Sequence, residues 1–254
     1  FIKEYQKTYG IKISTSQVNE AIQVLQGHFV SKEAEYQKFR QIDILENDPA
    51  GMIKRLQSYT ERLTHIPFYT QVEDIIKVGI ARYKEKYLPG IKSEDPFVLY
   101  EKYSRRDVSL LMNCGKDLSS IMYGMKRIED DVFIFITYHK EESQDEKNYV
   151  DGKPDYADTF EDNLIFKWDS QIGKGLDSSY MKDVLEAERK HLLVKKSDAE
   201  TSFYYMGQFT VVEARNARKE DNRGRMQPIT KVTMKMHHPV REDLLRYLQS
   251  NITA

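Results

Sequence analysis

The stretch DDVFIFITYHK, Asp130 to Lys140, has the strongest β-strand character in the chain. Its β-branched and aromatic residues are not interrupted by glycine or proline, which is typical of a strand. Further segments of the same kind follow it: KHLLVKK (190–196), FYYMGQFTVVEAR (203–215) and ITKVTMKM (229–236). Strands that follow one another with few helices between them predict a strongly bent, mostly antiparallel sheet or a partly open barrel.

Helices are predicted on either side of this β-rich part. PFVLYEKYSRRDVSLLMN (96–113) indicates a short strand followed by a helix, and VREDLLRYLQSNI (240–252) indicates a closing helix. The first ninety or so residues contain four apolar stripes with helical spacing, beginning after Ser14 or Ser16, near Glu33, after Pro49 and after Pro67. The fold class is therefore α+β, with a small helical bundle before the β-rich half.

The segment LPGIKSEDP (88–96) contains two prolines and a glycine and is the best candidate for a domain boundary. It divides the chain into a helical domain, residues 1–92, and a β-rich α+β domain, residues 93–254. The chain begins with Phe1 in what reads as the middle of a structured segment, so we interpret it as part of a longer protein.

Composition excludes several classes of protein. The chain has 254 residues, and 39 Lys and Arg against 40 Asp and Glu give a formal charge of −1, so attraction to nucleic acid requires a local patch. Its single cysteine, Cys114, cannot form an intramolecular disulfide, and no stretch is long and apolar enough for a membrane span. These features predict a cytoplasmic protein with no membrane partner.

Charge is unevenly distributed in the β-rich half. Residues 141–162 contain nine acids against two lysines, a local net charge of −7 that is typical of a solvated loop. Residues 215–235 contain seven bases against two acids, a local net charge of +5. RNARKEDNRGRMQP (215–228) is therefore predicted to be a mobile basic loop between two strands. Such a loop suits DNA phosphates, although a plain solvated loop is the alternative.

The stretch NLIFKWDSQIGKG, Asn163 to Gly175, has apolar residues on one face of a strand and ends in polar residues and glycines. We expect Trp168 to be at least half buried, and Ser170 and Gln171 to lie at the mouth of a concave surface. A stacking plane beside amide and hydroxyl groups is suited to recognising a flipped or single-stranded base.

No complete catalytic motif is present. The Gly173–Lys174 pair lacks the earlier glycine and the following Ser or Thr of a phosphate-binding loop. Asp155, Glu161 and Asp162 partly match the acids of metal-dependent nucleases, but the terminal acid-x-Lys is missing. The sequence therefore predicts no catalytic residues, no metal ligands and no cofactor in this part of the protein.

The order of FVLYEKYSRRDVSLLM, FIFITYHK, YADTFEDNLIFKWDSQ, HLLVKK and FYYMGQFTVVEA resembles a C-terminal domain of bacterial DEAD/DEAH-box superfamily II helicases. Some of those proteins also carry a phospholipase-D-type nuclease domain and resemble restriction or phage-defence enzymes. The resemblance is most specific at residues 166–171 and 103–108. It implies helicase and nuclease domains in the same polypeptide, with ATP and Mg²⁺ bound there, and it assigns no catalytic residue here.

Three hypotheses follow. In the first, the β-rich half binds DNA through a base pocket and cationic side chains, the candidates being Trp168, Ser170, Gln171, Arg105, Arg106, Arg215, Arg218, Lys219, Arg223 and Arg225. In the second, the piece is a scaffold that docks on the helicase or nuclease domains or self-associates through its helical part. In the third, it is a cryptic metal-dependent nuclease that uses Asp155.

Overall fold

The structure is a computed structural model, and it describes residues 3, 6, 7, 10, 12–30, 33–39, 44–47, 53–87, 96–139, 149, 150, 153, 154, 158–221 and 223–250. Backbone contacts divide the chain into two compact units, residues 1–90 with 106–119 and residues 91–105 with 120–254. The predicted boundary between residues 92 and 93 lies outside the described residues and stays a prediction.

The first unit is mainly helical. It contains α1 (Thr15–Leu25), α2 (Glu33–Phe39), β1 (Leu45–Asn47), β2 (Ile53–Arg55), α3 (Gln57–Arg62), α4 (Ile66–Tyr87) and, except for its first residue, α5 (Arg105–Leu111). Ser14 is the cap of α1, because its Oγ accepts from the backbone N of Gln17 at 3.1 Å while Gln17 Oε1 accepts from the Ser14 backbone.

Two predictions for this unit need correction. Residues 53–55 do not begin a helix, because they pair antiparallel with residues 45–47, and α3 starts only at Gln57. Apart from residues 53–55, the apolar stripes mark helices correctly, but their side chains are not buried: α1, α3 and α4 contain no buried residue. Among the described residues up to Tyr87, Phe29 is the only buried large hydrophobic residue. No helix among the described residues is both long enough and apolar enough to cross a membrane.

The second unit is built on one large sheet. It contains β3 (Lys102–Tyr103), β4 (Met125–Ile128), β5 (Asp131–His139), β6 (Tyr149–Val150), β7 (Lys153–Pro154), β8 (Thr159–Phe160), β9 (Ile165–Asp169), α6 (Ser179–Glu186), β10 (Arg189–Ser197), β11 (Phe203–Glu220), β12 (Met226–Met236) and α7 (Glu242–Gln249). The strand order is β4-β5-β10-β11-β12-β9-β8, with β3 on β11 and with β6 and β7 forming a separate pair. Among the described strands, β5 and β10 are the only pair that runs parallel. The predicted α+β class with a mostly antiparallel sheet is confirmed, and the sheet is not closed into a barrel.

Strand β5 is buried on both faces, which explains its uninterrupted apolar sequence. Val132, Ile134 and Ile136 belong to the core that also contains buried residues of α6 and α7. The alternate residues point the other way, where the Phe133 ring stacks on His191 with centroids 4.5 Å apart. The sheet is therefore an interior layer at this point.

A charged network built on the buried Asp131 joins β5 to β10. Asp131 accepts two hydrogen bonds from Arg189, at 2.7 and 2.6 Å, and lies 2.7 Å from His191 Nε2. The other ring nitrogen of His191 lies 2.9 Å from the Tyr205 hydroxyl. Burial alone would raise the pKa of Asp131, but the hydrogen bonds from His191 and Arg189 lower it to about 2. Asp131 and His191 in this network are buried, whereas the Arg189 side chain is 48% exposed and reaches solvent.

Candidate nucleic-acid interface

The basic segment that the sequence predicts as a mobile loop is the end of a regular β-hairpin, so that prediction is wrong. Residues 213–220 of β11 pair with residues 226–233 of β12, so that the turn is confined to the short stretch between Glu220 and Met226. Charged side chains do not prevent this pairing, because both faces of the hairpin reach solvent for most of its length. We call residues 213–233 the hairpin arm.

The turn of the hairpin arm is organised by one carboxylate. Asp221 accepts from the backbone N atoms of Arg223 and Arg225, at 2.9 and 3.0 Å, and from the Arg225 and Gln227 side chains. These hydrogen bonds, led by the one from the Arg225 backbone, lower the pKa of Asp221 to about 2. The charge of Arg225 is therefore compensated inside the turn.

The predicted basic residues lie on two different faces of the hairpin arm. Arg218 lies opposite Pro228 and is on the same face of the sheet as Ala214, Val232 and Trp168. Arg215 and Lys219 lie on the opposite face. There Arg215 pairs with Lys231 in a shallow cavity of about 230 Å³ whose polar lining includes Lys167, Asp169, Glu213 and Thr233. The structure does not bring these cations together as one patch.

The two arginines predicted at the start of α5 are engaged elsewhere. The Arg105 guanidinium lies over the rings of Tyr123, Phe135 and Phe203, at 5.1, 5.6 and 5.0 Å. In the first unit, Arg106 makes a bidentate pair with Glu35, at 2.7 and 2.9 Å, and a 2.8 Å contact with Asp117. Two carboxylates neutralise Arg106, which makes it a structural residue.

Trp168 and Ser170 are both too buried to contact a ligand. Trp168 is 3% exposed and belongs to the core, which meets the expectation of burial but leaves no free indole plane. Ser170 is 5% exposed, and its Oγ donates to the Lys174 carbonyl at 2.6 Å and accepts from the Thr230 backbone at 2.8 Å. The expectation that Ser170 lies at a concave mouth is wrong, because its hydroxyl fastens the turn after β9 to β12.

Gln171 is exposed and contacts Tyr123, an aromatic residue that the sequence analysis did not select. Its Nε2 donates to the Tyr123 carbonyl at 3.3 Å, and the Tyr123 ring is 64% exposed. The approach is possible because residue 124 is glycine: a Cβ there would lie 2.5 Å from Gln171 Nε2. Gly124 also has φ +73°, which disfavours any other residue. We call Tyr123, Gly124, Gln171 and Tyr180 the Gln171 site.

The fourth member of the Gln171 site is a tyrosine hydroxyl. Tyr180 Oη would lie 3.2 Å from a Cβ at Gly124, and the Tyr180 ring packs 6.4 Å from that of Trp168. Among the described residues this buried hydroxyl has no hydrogen-bond partner. Burial, with a smaller effect of Asp158, raises the pKa of Tyr180, so it stays protonated. A neutral hydroxyl therefore lies buried beside Gly124 and Gln171, where it supports the site but is closed to a ligand.

The turn that begins at Gln171 reaches the hairpin arm. Gly173 N donates to the Pro228 carbonyl at 2.9 Å, and Leu176 N donates to Asn216 Oδ1 at 2.9 Å. A depression of about 540 Å³ lies there, lined by residues 175–178, 216–218 and 228. Helix α6 begins at its edge, where Ser178 Oγ accepts from the Met181 backbone. We call this the Arg218 depression; it places Arg218 near the positive end of a helix.

The acids of the nuclease hypothesis do not form a metal site among the described residues. Asp155 lies outside those residues. Asp162 caps its own turn by accepting from the backbone N atoms of Leu164 and Ile165, both at 2.7 Å, and Glu161 pairs with Lys167 at 3.4 Å. No group of three His, Cys, Asp or Glu side chains in the described part of the chain could hold a metal ion.

Sequence reasoning missed Tyr123 and Tyr180. Both lie in segments without a clear period, and α6 was not predicted. The pattern SIMYGM (120–125) contains a signal that could have found Tyr123, because an aromatic residue before a glycine and between strands often lies in an exposed turn.

Fold and site together define a mixed α+β chain whose β-rich unit carries an exposed aromatic and amide site beside a cationic hairpin. The model of the DUF3427 domain of unknown function matches residues 97–248, so the chain belongs to that family. A second model, the DUF8090 domain of unknown function, matches residues 1–87. No curated protein matches the chain.

Three solved structures share a distant likeness. The MspJI restriction endonuclease in complex with a 27-mer oligonucleotide is 11% identical, with a TM-score of 0.30 over 45% of this chain and 31% of that one. Arabidopsis thaliana SUVH6 in complex with SAM is 11% identical, with a TM-score of 0.35 over 61% of this chain and 29% of that one. The sulfur-binding and SRA domains of ScoMcrA with phosphorothioated DNA are 10% identical, with a TM-score of 0.32 over 61% of this chain and 46% of that one. The chain spans less than half of each. Likeness at this level carries no argument about function.

Proposed function

We propose that the chain is a non-catalytic DNA-binding domain that contacts a nucleobase at the Gln171 site and phosphate at the hairpin arm. The observation that carries the proposal is the exposed Tyr123, whose backbone carbonyl accepts a hydrogen bond from the exposed Gln171 amide. An aromatic plane stacks on any base, and a side-chain amide forms hydrogen bonds with base edges. Tyr123 takes the stacking role that the sequence suggested for Trp168.

Phosphate binding is the second part of the proposal. Arg218 is exposed beside the start of α6, where a helix N-terminus and a guanidinium both favour an anion. Arg223 is exposed at the tip of the hairpin arm. Arg215 and Lys219 lie on the opposite face and strengthen the local field without joining this contact.

The finer proposal concerns the longer protein. The resemblance of residues 103–108 and 166–171 to a helicase C-terminal domain supports an accessory role in a superfamily II helicase. ATP and Mg²⁺ would then be bound by other domains. In the longer protein, Arg218→Ala should leave basal ATP hydrolysis unchanged and reduce the part of the hydrolysis that DNA stimulates.

The test is fluorescence anisotropy of the full chain with single-stranded, duplex and modified-base oligonucleotides at two salt concentrations. Arg218→Ala should weaken binding to every sequence and reduce the slope of log K against log salt by about 1. Tyr123→Ala should weaken binding by about 1–3 kcal/mol, mainly for substrates with an unpaired base.

Matched controls separate the site from the general surface. Arg241, an exposed arginine paired with Asp243 on α7, and Tyr247, an exposed tyrosine on the same helix, are replaced by Ala. Both controls should bind like the parent chain. The proposal fails if no oligonucleotide binds at low salt, or if Tyr123→Ala and Arg218→Ala bind as well as the controls.

A further inference from the structure

Helix α4 (Ile66–Tyr87) presents an apolar face to solvent. None of its residues is buried, and Tyr69, Ile76, Ile80 and Tyr83 are 47%, 55%, 49% and 59% exposed. With about 3.6 residues per turn, these four side chains and Tyr87 lie on one side of the helix. A continuous exposed apolar stripe of this kind marks an interaction surface.

The intervals between the residues of this stripe are the same when read from either end of the helix. Tyr69, Glu73, Ile76, Ile80, Tyr83 and Tyr87 follow one another at intervals of four, three, four, three and four residues, which is the heptad spacing of paired helices. The pattern is symmetric about Val78. Two antiparallel copies centred there would place Ile76 against Ile80 and Tyr69 against Tyr87.

Charge selects the antiparallel arrangement. Glu73 and Lys84 lie on the same edge of the stripe, and antiparallel pairing about Val78 brings each Glu73 beside Lys84 of the other copy. Parallel pairing would put this edge of the two copies on opposite sides of the interface, so that Glu73 and Lys84 would not meet. Within one chain Glu73 accepts from Tyr69 Oη at 2.8 Å and from Lys77 at 3.3 Å, at a surface where such pairs are weak and can rearrange.

We propose that α4 pairs antiparallel with α4 of a second copy of this chain, so that the protein forms an isologous dimer through its first unit. The pairing is self-complementary, as a twofold interface requires. It is independent of the proposed DNA binding, which uses side chains of the second unit.

Sedimentation equilibrium of the full chain over a range of concentrations tests the proposal. The parent chain should show a monomer–dimer equilibrium. Ile76→Asp should shift it to monomer, whereas Val78→Asp, at the level of the dyad but on the opposite side of the helix and 50% exposed, should not. Far-UV circular dichroism of both variants checks that the helix content is the same.

Charge reversal tests the orientation. Glu73→Lys and Lys84→Glu should each weaken the dimer, and the double variant should restore it, with a smaller effect at high salt. A chain that stays monomeric at every concentration, or a dimer unaffected by Ile76→Asp, would overturn the proposal. Failure of the double variant to recover the dimer would overturn the antiparallel arrangement.

Discussion

Gln171 Nε2 lies 3.3 Å from the Tyr123 carbonyl oxygen and directly over the Cα of Gly124. This contact joins the turn after β9 to the loop before β4, two segments that are 48 residues apart in the chain. It brings Tyr123, which is 64% exposed, next to the amide that sequence analysis selected. The candidate site depends on this approach.

Gly124→Ala should disturb the Gln171 site in two ways. The new Cβ would meet Gln171 Nε2 at 2.5 Å and displace that side chain, and the positive φ would strain an alanine by about 1 kcal/mol. We expect a lower unfolding free energy in urea and weaker binding to oligonucleotides with an unpaired base.

Gly173→Ala is the matched control for this change. Gly173 also has a positive φ, +84°, but a Cβ there meets nothing within 4 Å. Gly173→Ala should lower the unfolding free energy through backbone strain alone and leave the oligonucleotide affinity unchanged. If the two variants bind DNA equally well, the Gln171–Tyr123 contact has no part in binding.

Trp168→Phe should affect stability and not recognition. The indole is 3% exposed in the core beneath Tyr180, so the smaller ring should cost about 1–2 kcal/mol of unfolding free energy. Oligonucleotide affinity should remain at the parent value. In the parent chain this single tryptophan should be protected from acrylamide quenching. A loss of affinity comparable with that of Tyr123→Ala would return the stacking role to Trp168.

Asp131 should make stability depend on pH at the acidic end. Its pKa is about 2 in the folded chain and about 4 when unfolded, so its contribution is present above pH 4 and is lost as the pH falls towards 2. Asp131→Asn should remove this dependence and, at neutral pH, cost about 1.5–3 kcal/mol in urea unfolding, because Arg189 and His191 lose a charged acceptor.

The control for this prediction is Asp243→Asn. Asp243 also pairs with an arginine, Arg241, but its side chain is 64% exposed. Its replacement should leave the unfolding free energy close to that of the unsubstituted chain. An equal effect of the two substitutions would mean that burial of the Asp131 network contributes nothing.

Local sequence patterns were sufficient for most of the elements. The apolar run 131–139 is a strand because β-branched and aromatic side chains suit a sheet that is covered on both sides, and Ser14 with Gln17 starts α1 through hydrogen bonds between neighbours. The same kind of evidence failed at 215–220, where a charged sequence forms a strand because its partner strand supplies the hydrogen bonds.

The sequence by itself determined the α+β class, the positions of the main strands along the chain, the burial of Trp168 and the surplus of positive charge near residue 220. Only the tertiary structure decided which side chains meet: Arg218 and Arg215 on opposite faces, Ser170 closed inside a turn, and Tyr123 beside Gln171. The reason is that side-chain alternation and hydrogen bonds between neighbouring residues depend only on short segments of the sequence. Contacts between distant segments depend on strand register and on the one glycine that lets Gln171 approach.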